Sequence, residues 1–140
     1  MIEKELIRQK LVDIRNYLRE LKPLLDIDSR LLIEDNIKLH AFERLFQLIV
    51  DTTIDINTHI ITRSDFNVPD DYYNTFIVLA QNNVLPMEFA LKIAGSVGLR
   101  NMVIHKYGNV DIKRMVDDIK SGISDYTEYM QQIEKFLKTR

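Results

Sequence analysis

The sequence predicts an all-α protein, an up-and-down antiparallel bundle of four to five helices. Three observations lead there. Apolar residues recur at alternating three- and four-residue steps in almost every segment, which is the spacing of a helix stripe and not the two-residue alternation of a half-buried strand. The breaks between these segments are short and carry Pro, Asn, Asp and Gly, so successive helices are expected to be antiparallel neighbours. The chain of 140 residues is 46% hydrophobic and 29% charged with only four Gly and three Pro, a globular composition that fits one domain, residues 1–140, around a modest core.

The elements follow in order. Ile7, Leu11, Ile14, Leu18 and Leu21 form one stripe of a first helix that ends near Pro23, because proline lacks the N–H a helix interior needs. Asp26 to Arg30 is the turn. A second, long helix runs from about Arg30 to Thr62 with Phe42, Leu45, Phe46, Ile49, Thr53, Ile56 and Ile60 on one face, the expected backbone of the bundle. Ser64 to Asp71 breaks it, and Pro69 followed by Asp70 and Asp71 is a helix-start signature. The short third helix would turn Tyr72, Phe76 and Leu79 inward and end at Asn82-Asn83. Pro86 suits the first turn of a fourth helix, whose stripe Ala90, Ile93, Val97 continues in phase through Arg100, Ile104 and Tyr107. Gly95, Ser96 and Gly98 are small, which would let another backbone approach closely there. Gly108-Asn109 is the next break, with Asn109 a good N-cap. The last helix carries Ile112, Val116, Ile119, Ile123, Tyr126, Met130, Ile133 and Leu137, a seam that packs on other helices of the same chain or of a partner.

Composition also excludes several functions. No run of about 18 apolar residues is present and the N-terminus lacks a signal-peptide pattern, so a cytoplasmic protein with no membrane partner is expected. There is no cysteine, and His40, His59 and His105 form no His-x-x-x-His spacing, so neither a metal nor another cofactor is expected. A net charge of −2 argues against a surface that grips nucleic acid everywhere and confines any such contact to a local patch. Between Pro86 and Lys120, six basic residues (Lys92, Arg100, Lys106, Lys113, Arg114, Lys120) face four acidic ones, a tilt that a solvated surface would explain equally well.

Chemistry concentrates in one segment, Arg100-Asn101-Met102-Val103-Ile104-His105-Lys106-Tyr107. Arg neutralises charge on phosphoryl oxygens and His moves protons near neutral pH, the two groups phosphoryl chemistry needs most when no metal serves it. Arg100 stands where the stripe asks for a hydrophobe, so it should be partly buried, at an interface or lining a cleft. Spacing limits who can cooperate. Five residues along a regular helix turn Arg100 and His105 about 140° apart, whereas Arg100 and Tyr107 fall within about 20° of one face. A working Arg/His pair therefore needs either a helix end near His105 or a second subunit related by a two-fold axis.

Arg100-Asn101-x-x-x-His105-x-Tyr107 resembles the Arg-x(4-6)-His signature of HEPN domains, in the form found in their HepT-like toxin branch. The Pro69-x-x-Tyr72-x-x-x-Phe76-x-x-Leu79 segment, the Leu99-Arg100-Asn101 entry and the long helix with Asp51 and Asp55 are similar to that branch too, so the resemblance covers most of the chain. It implies the toxin of a type II or type VII toxin-antitoxin pair, an endoribonuclease that acts on RNA without metal as a homodimer whose two motifs face each other. Its implied partner is a minimal nucleotidyltransferase antitoxin, in a larger hetero-oligomer where the two assemble. Carried over by position, His105 would be the acid or base at the ribose 2′-hydroxyl or the leaving oxygen, and Arg100 would hold the scissile phosphate. Asn101 and Lys106 would orient or bind substrate, and Tyr107 would be the tyrosine that the antitoxin adenylylates.

Each residue has a plainer reading. Arg100 could form an ion pair with Asp51 or Asp55, which is compatible with a site role because a carboxylate can orient an Arg. A lone His105 could be structural, Lys106 and Tyr107 could snorkel or cap a helix end, and Tyr107 could be interface packing. His40 and His59 read as ordinary helix-surface residues. The rival function is a non-catalytic helical subunit that binds a nucleotidyltransferase, with Arg100 and His105 holding a phosphate without cleaving it.

Overall fold

A computed structural model of the chain describes residues 1–105 and 110–140, and in these it contains eight helices and no strand. They are α1 (Lys4–Leu25), α2 (Ser29–Glu34), α3 (Asn36–Arg63), α4 (Tyr72–Gln81), α5 (Met87–Ala94), α6 (Ser96–His105), α7 (Ile112–Gly122) and α8 (Asp125–Lys138). The all-α expectation holds. The larger helix number arises because three of the expected helices are each divided at one point, so that five passes of chain are built from eight pieces.

Each division has a local cause. Asp35 leaves helical geometry (φ −105°, ψ 97°) and its carboxylate accepts from Lys38 N at 3.1 Å, so it caps α3 at the residue where α2 stops. At Gly95 the helical dihedrals persist (φ −60°, ψ −23°), but the bond pattern tightens to Gly98 N→Gly95 O, 3.2 Å. Ser96 then turns its hydroxyl back onto Ile93 O at 2.6 Å and also meets the Tyr126 hydroxyl. Ile123 and Ser124 likewise keep helical dihedrals while Tyr126 N and Thr127 N bond three residues back. Among the described residues of the chain no second backbone lies against Gly95 or Gly98. A Cβ on Gly95 would make ordinary contact with Lys92 O at 3.5 Å, and one on Gly98 would meet nothing within 4 Å.

Helix ends follow sequence signals closely. Pro23 lies in the last turn of α1, two residues before its end, so the chain stops about where proline allows. Asp71 caps α4 by accepting from Asn74 N at 2.8 Å. At the other end of α4, Asn83 takes a left-handed φ of 63°, Val84 N bonds Leu79 O at 2.9 Å and Asn83 N bonds Ala80 O at 3.1 Å, the paired closure of a Schellman motif. Asp65 (φ 58°) and Phe66 N→Ile61 O (3.1 Å) close α3 in the same way. Pro86 is the cap residue of α5 and not its first helical residue. Asp111 caps α7 through Arg114 N at 3.0 Å, while Asn109, the expected cap, lies outside the described residues.

The long α3 is the central post and packs against α1, α2, α4 and α6. Phe42, Phe46, Ile49, Thr53, Ile56 and Ile60 of the expected face are buried, and Leu45 is half-buried. Around it the stripes of α1 (Ile7, Leu11, Ile14, Leu21) and of α7 and α8 (Val116, Ile119, Tyr126, Ile133, Leu137) close the core, with Phe76 edge-on to Tyr129 at 6.2 Å between ring centres. Two expected inward positions are corrected. Tyr72 is half exposed because it is the first residue of α4, just beyond its cap, where the helix has not yet reached the core. Ile104 is 37% exposed and Val103 is buried in its place: Val97 and Arg100 are turned inward as expected, and the next inward step along α6 is three residues and not four.

One hydrogen-bonded chain crosses this core. Tyr129 Oη donates to Asn57 Oδ1 at 2.6 Å, Asn57 Nδ2 donates to Thr75 Oγ1 at 3.1 Å, and Thr75 Oγ1 donates to the Tyr72 carbonyl at 2.6 Å. Burial pushes the Tyr129 phenol well above its ordinary pKa, so it is a neutral donor. Tyr129→Phe leaves the buried Asn57 oxygen without its donor and is expected to cost about 1–3 kcal/mol in urea denaturation, against near zero for the exposed Tyr73→Phe. Equal midpoints for the two variants would contradict the network.

Candidate functional site

Arg100 is brought against Asp51, not Asp55. Its Nε donates to Asp51 Oδ1 at 2.8 Å across the α3/α6 contact, with the two side chains 19% and 34% exposed. Asp55, one turn further along α3, instead pairs with Lys10 of α1 at 3.7 Å. Burying most of a guanidinium costs free energy unless a charged partner offsets it, and Asp51 is placed to do so. Nη1 of Arg100 donates to the side-chain oxygen of the adjacent Asn101 at 3.1 Å. The guanidinium carbon also lies 5.8 Å from the centre of the Tyr72 ring, within cation-π range. Three helices, α3, α4 and α6, therefore converge on one side chain. Among the described residues, Asp51 and Asn101 take two of its five N–H donors.

The remaining predicted residues divide by face. Gly98, Asn101, Met102 and His105 are all exposed, and their spacing of three, four and seven residues makes them one outward stripe of α6. Arg100 points the other way, toward α3. α6 holds both Arg100 and His105, the latter as its last residue, so along the helix the offset of about 140° between them applies. Lys106 and Tyr107 lie outside the described residues. His40 is exposed, and His59 is half-buried with its Nε2 accepting from Glu3 N at 3.1 Å, so neither joins the site. Burial and the nearby Arg63 lower the His59 pKa.

The basic tilt around the site is spent locally. Lys92 pairs with Asp125 at 3.1 Å, Lys113 with Asp117 at 2.8 Å and Arg114 with Asp118 at 4.0 Å, while Lys120 Nζ donates to Ile27 O. These helix-surface pairs leave little net positive field there. Among the described residues no three His, Cys, Asp or Glu side chains gather to hold a metal ion, and no helix is long and apolar enough to cross a membrane.

Sequence reasoning left two contributors without a role. Asp51 was one of two candidate partners for Arg100, and only the packing of α6 on α3 selects it. Tyr72 was assigned to the core, although its position directly after the Asp70-Asp71 helix start was a signal that it sits at a helix mouth.

Comparison with known proteins bears on the same residues. The sequence profile of the family described as Ribonuclease HepT-like matches residues 14–133, which include Asp51, Tyr72 and the whole 100–107 segment. Over 138 residues the chain is 33% identical to the tRNA nuclease HepT of Aphanizomenon flos-aquae, covering 99% of this chain and 94% of that protein. It is 26% identical over 84 residues to the mRNA nuclease HepT of Shewanella oneidensis, covering 60% and 63%. Among solved structures, the tri-AMPylated S. oneidensis HEPN toxin in complex with MNT antitoxin superposes with a TM-score of 0.84 at 21% identity, over 96% of this chain and 99% of that one. The cytosolic protein of unknown function YutE from Bacillus subtilis gives 0.82 at 17% identity, over 99% and 92%. The two superpositions show a shared fold, and the profile match over most of the length shows more: this chain belongs to the HepT-like ribonuclease family.

Proposed function

We propose that this protein is the toxin of a toxin-antitoxin pair, a cytoplasmic, metal-independent endoribonuclease that works as a homodimer and is neutralised by a minimal nucleotidyltransferase. The observation that carries the reading is the state of Arg100: a guanidinium most of the way buried, fixed by Asp51 and Asn101, with donors still in hand. An Arg needed only for solubility has no reason to be built in this way. Family membership and the two nuclease relatives support RNA as substrate, and the structural relative in complex with MNT antitoxin supports the partner.

The chemistry follows from the two side chains. His105 takes the proton of a ribose 2′-hydroxyl, the 2′-oxygen bonds to phosphorus, and the bond to the 5′-oxygen breaks as that oxygen takes up a proton, from water or from the charged imidazole, and leaves as a hydroxyl. Arg100 stabilises the negative charge that grows on the phosphoryl oxygens. Asn101 braces the guanidinium, and Lys106 adds charge for the RNA backbone. Because the helix turns Arg100 and His105 to different faces, the Arg of one subunit works with the His of the other. The outward stripe of Gly98, Asn101, Met102 and His105 suits that arrangement, since Gly98 carries no side chain to hold a second copy away. Adenylylation of Tyr107, two residues from His105, adds bulk and negative charge beside the site and shuts it.

Wild-type protein is expected to cleave RNA in the presence of chelator, with Arg100→Ala slower by about 10²–10³-fold and His105→Ala by about 10²–10⁴-fold. Equal background in all three would leave the non-catalytic subunit as the surviving reading. Mixing the two inactive variants and allowing subunits to exchange should restore about a quarter of wild-type activity if Arg and His act across the dimer, and none if they act within one chain. Asp51→Asn, which keeps the acceptor oxygen, should retain most of kcat, whereas Asp51→Ala should lose about tenfold by letting the guanidinium drift. Identical losses in both would deny Asp51 a positioning part. Incubation with the antitoxin and ATP should add adenylyl mass that Tyr107→Phe abolishes; a shift that persists moves the target elsewhere.

A further inference from the structure

Beside Tyr72, at the start of α4, lies a cleft of about 160 Å³ that the reaction described above does not use. Ile61, Val68 and Pro69 give it apolar walls, Asp70 and Asp71 stand at it, and one edge is Tyr72 itself. Tyr72 thus belongs to two neighbourhoods, the cleft and the Arg100 guanidinium 5.8 Å from its ring centre. We propose that this cleft is a nucleobase subsite in which a base of the RNA stacks on Tyr72 while Arg100 holds an adjoining phosphate; the inference rests on the ribonuclease reading.

Four features argue for a base. Tyr72 is 50% exposed and borders the cleft, so aromatic surface is on offer there. Its backbone does not move freely: the Tyr72 carbonyl accepts from Thr75, at the end of the buried chain from Tyr129 through Asn57, and Asp71 caps the turn. A platform fixed in this way loses little entropy when a ring settles on it. The volume is that of a cavity able to take one small aromatic ring, for which about 150 Å³ suffices. The charge is complementary in two parts. Asp71 is committed to Asn74, whose backbone and side-chain nitrogens it accepts at 2.8 to 3.1 Å, so Asp70 is the carboxylate left to accept from an incoming group. Carboxylates repel phosphate but accept hydrogen bonds from exocyclic amines, which adenine and cytosine carry and uracil lacks. A protein that binds single-stranded RNA by stacking bases on aromatics beside a cation follows a general pattern.

The test measures binding apart from cleavage, in a His105→Ala background, with fluorescein-labelled oligo(A), oligo(C) and oligo(U) over a range of salt. Tyr72→Leu should weaken oligo(A) binding about tenfold with its salt slope unchanged, because stacking releases no counterions. Tyr72→Phe, which keeps the ring, should stay within about twofold. Asp70→Asn should erase a preference for oligo(A) and oligo(C) over oligo(U). Unchanged binding by Tyr72→Leu overturns the proposal, and so does a loss that comes with a shallower salt slope, since Tyr72 would then act only through Arg100. Absence of any base preference in the parent overturns the part given to Asp70. Should Tyr72→Leu lower the thermal midpoint, Val68→Gln, at a position 67% exposed, adds uncharged bulk at the cleft without touching the core and should give a loss with the same unchanged salt slope. Cleavage by wild-type protein in chelator is run in parallel. Cleavage with unchanged Tyr72→Leu binding removes only the subsite, whereas no cleavage removes the nuclease reading whatever Tyr72 does.

Discussion

The bond from Arg100 Nε to Asp51 is the interaction around which the site is organised. A guanidinium cannot be drawn into a helix interface alone, and a carboxylate on α3 is what makes the position of α6 electrostatically tolerable. The pair is not a device for stability. A hydrophobic residue at position 100 would continue the stripe of Ala90, Ile93 and Val97 and would pack on α3 without any charge to satisfy. On the proposed reading, the guanidinium is held at the edge of that interface for its part in the reaction. Asp51 then has two opposed effects. It removes part of the positive charge that would draw a phosphate, and it fixes the direction in which the remaining N–H groups point. For chemistry that depends on geometry more than on affinity, the second effect is worth the first.

How much of this was legible beforehand depended on whether the information was periodic or relational. Stripes are periodic, and Ile7 to Leu21, Phe42 to Ile60 and Ile112 to Leu137 lie largely as their spacing requires. Caps and closures are local chemistry, and Asp71, Asn82 and Asn83 behave as their side chains dictate. The divisions at Asp35, Gly95 and Ile123 were harder because two of the three keep helical dihedrals and interrupt only the bonding pattern. An uninterrupted apolar spacing passes over such a break without recording it. Ile104 was displaced otherwise: Val97 and Arg100 keep the extrapolated phase beyond Gly95, and only the next step shortens from four residues to three, which buries Val103.

The site was legible in its parts and not in its assembly. That Arg100 breaks an apolar stripe could be read directly. Which carboxylate answers it could not, because Asp51 and Asp55 are one turn apart; the packing of α6 on α3 makes the choice and leaves Asp55 to Lys10 of α1. Tyr72 was misplaced for a related reason. Its spacing to Phe76 and Leu79 is that of a buried stripe, but a first-turn residue projects beyond the layer its helix packs into. The basic tilt of residues 86–120 shows the converse, since charges counted along the chain turn out to be matched by neighbours four or more than thirty residues away.

The chain of hydrogen bonds from Tyr129 to the Tyr72 carbonyl joins α8, α3 and α4 through the core. Fraying the first turn of α4 therefore means abandoning hydrogen bonds in the middle of the core, and such a turn cannot open as a small independent unit. The amide protons of the following turn of α4 should exchange slowly on that account, although the helix starts at the surface. Helix mouths are ordinarily among the softest places in a bundle. This one inherits the rigidity of the whole molecule, and it is where Tyr72 stands next to Arg100.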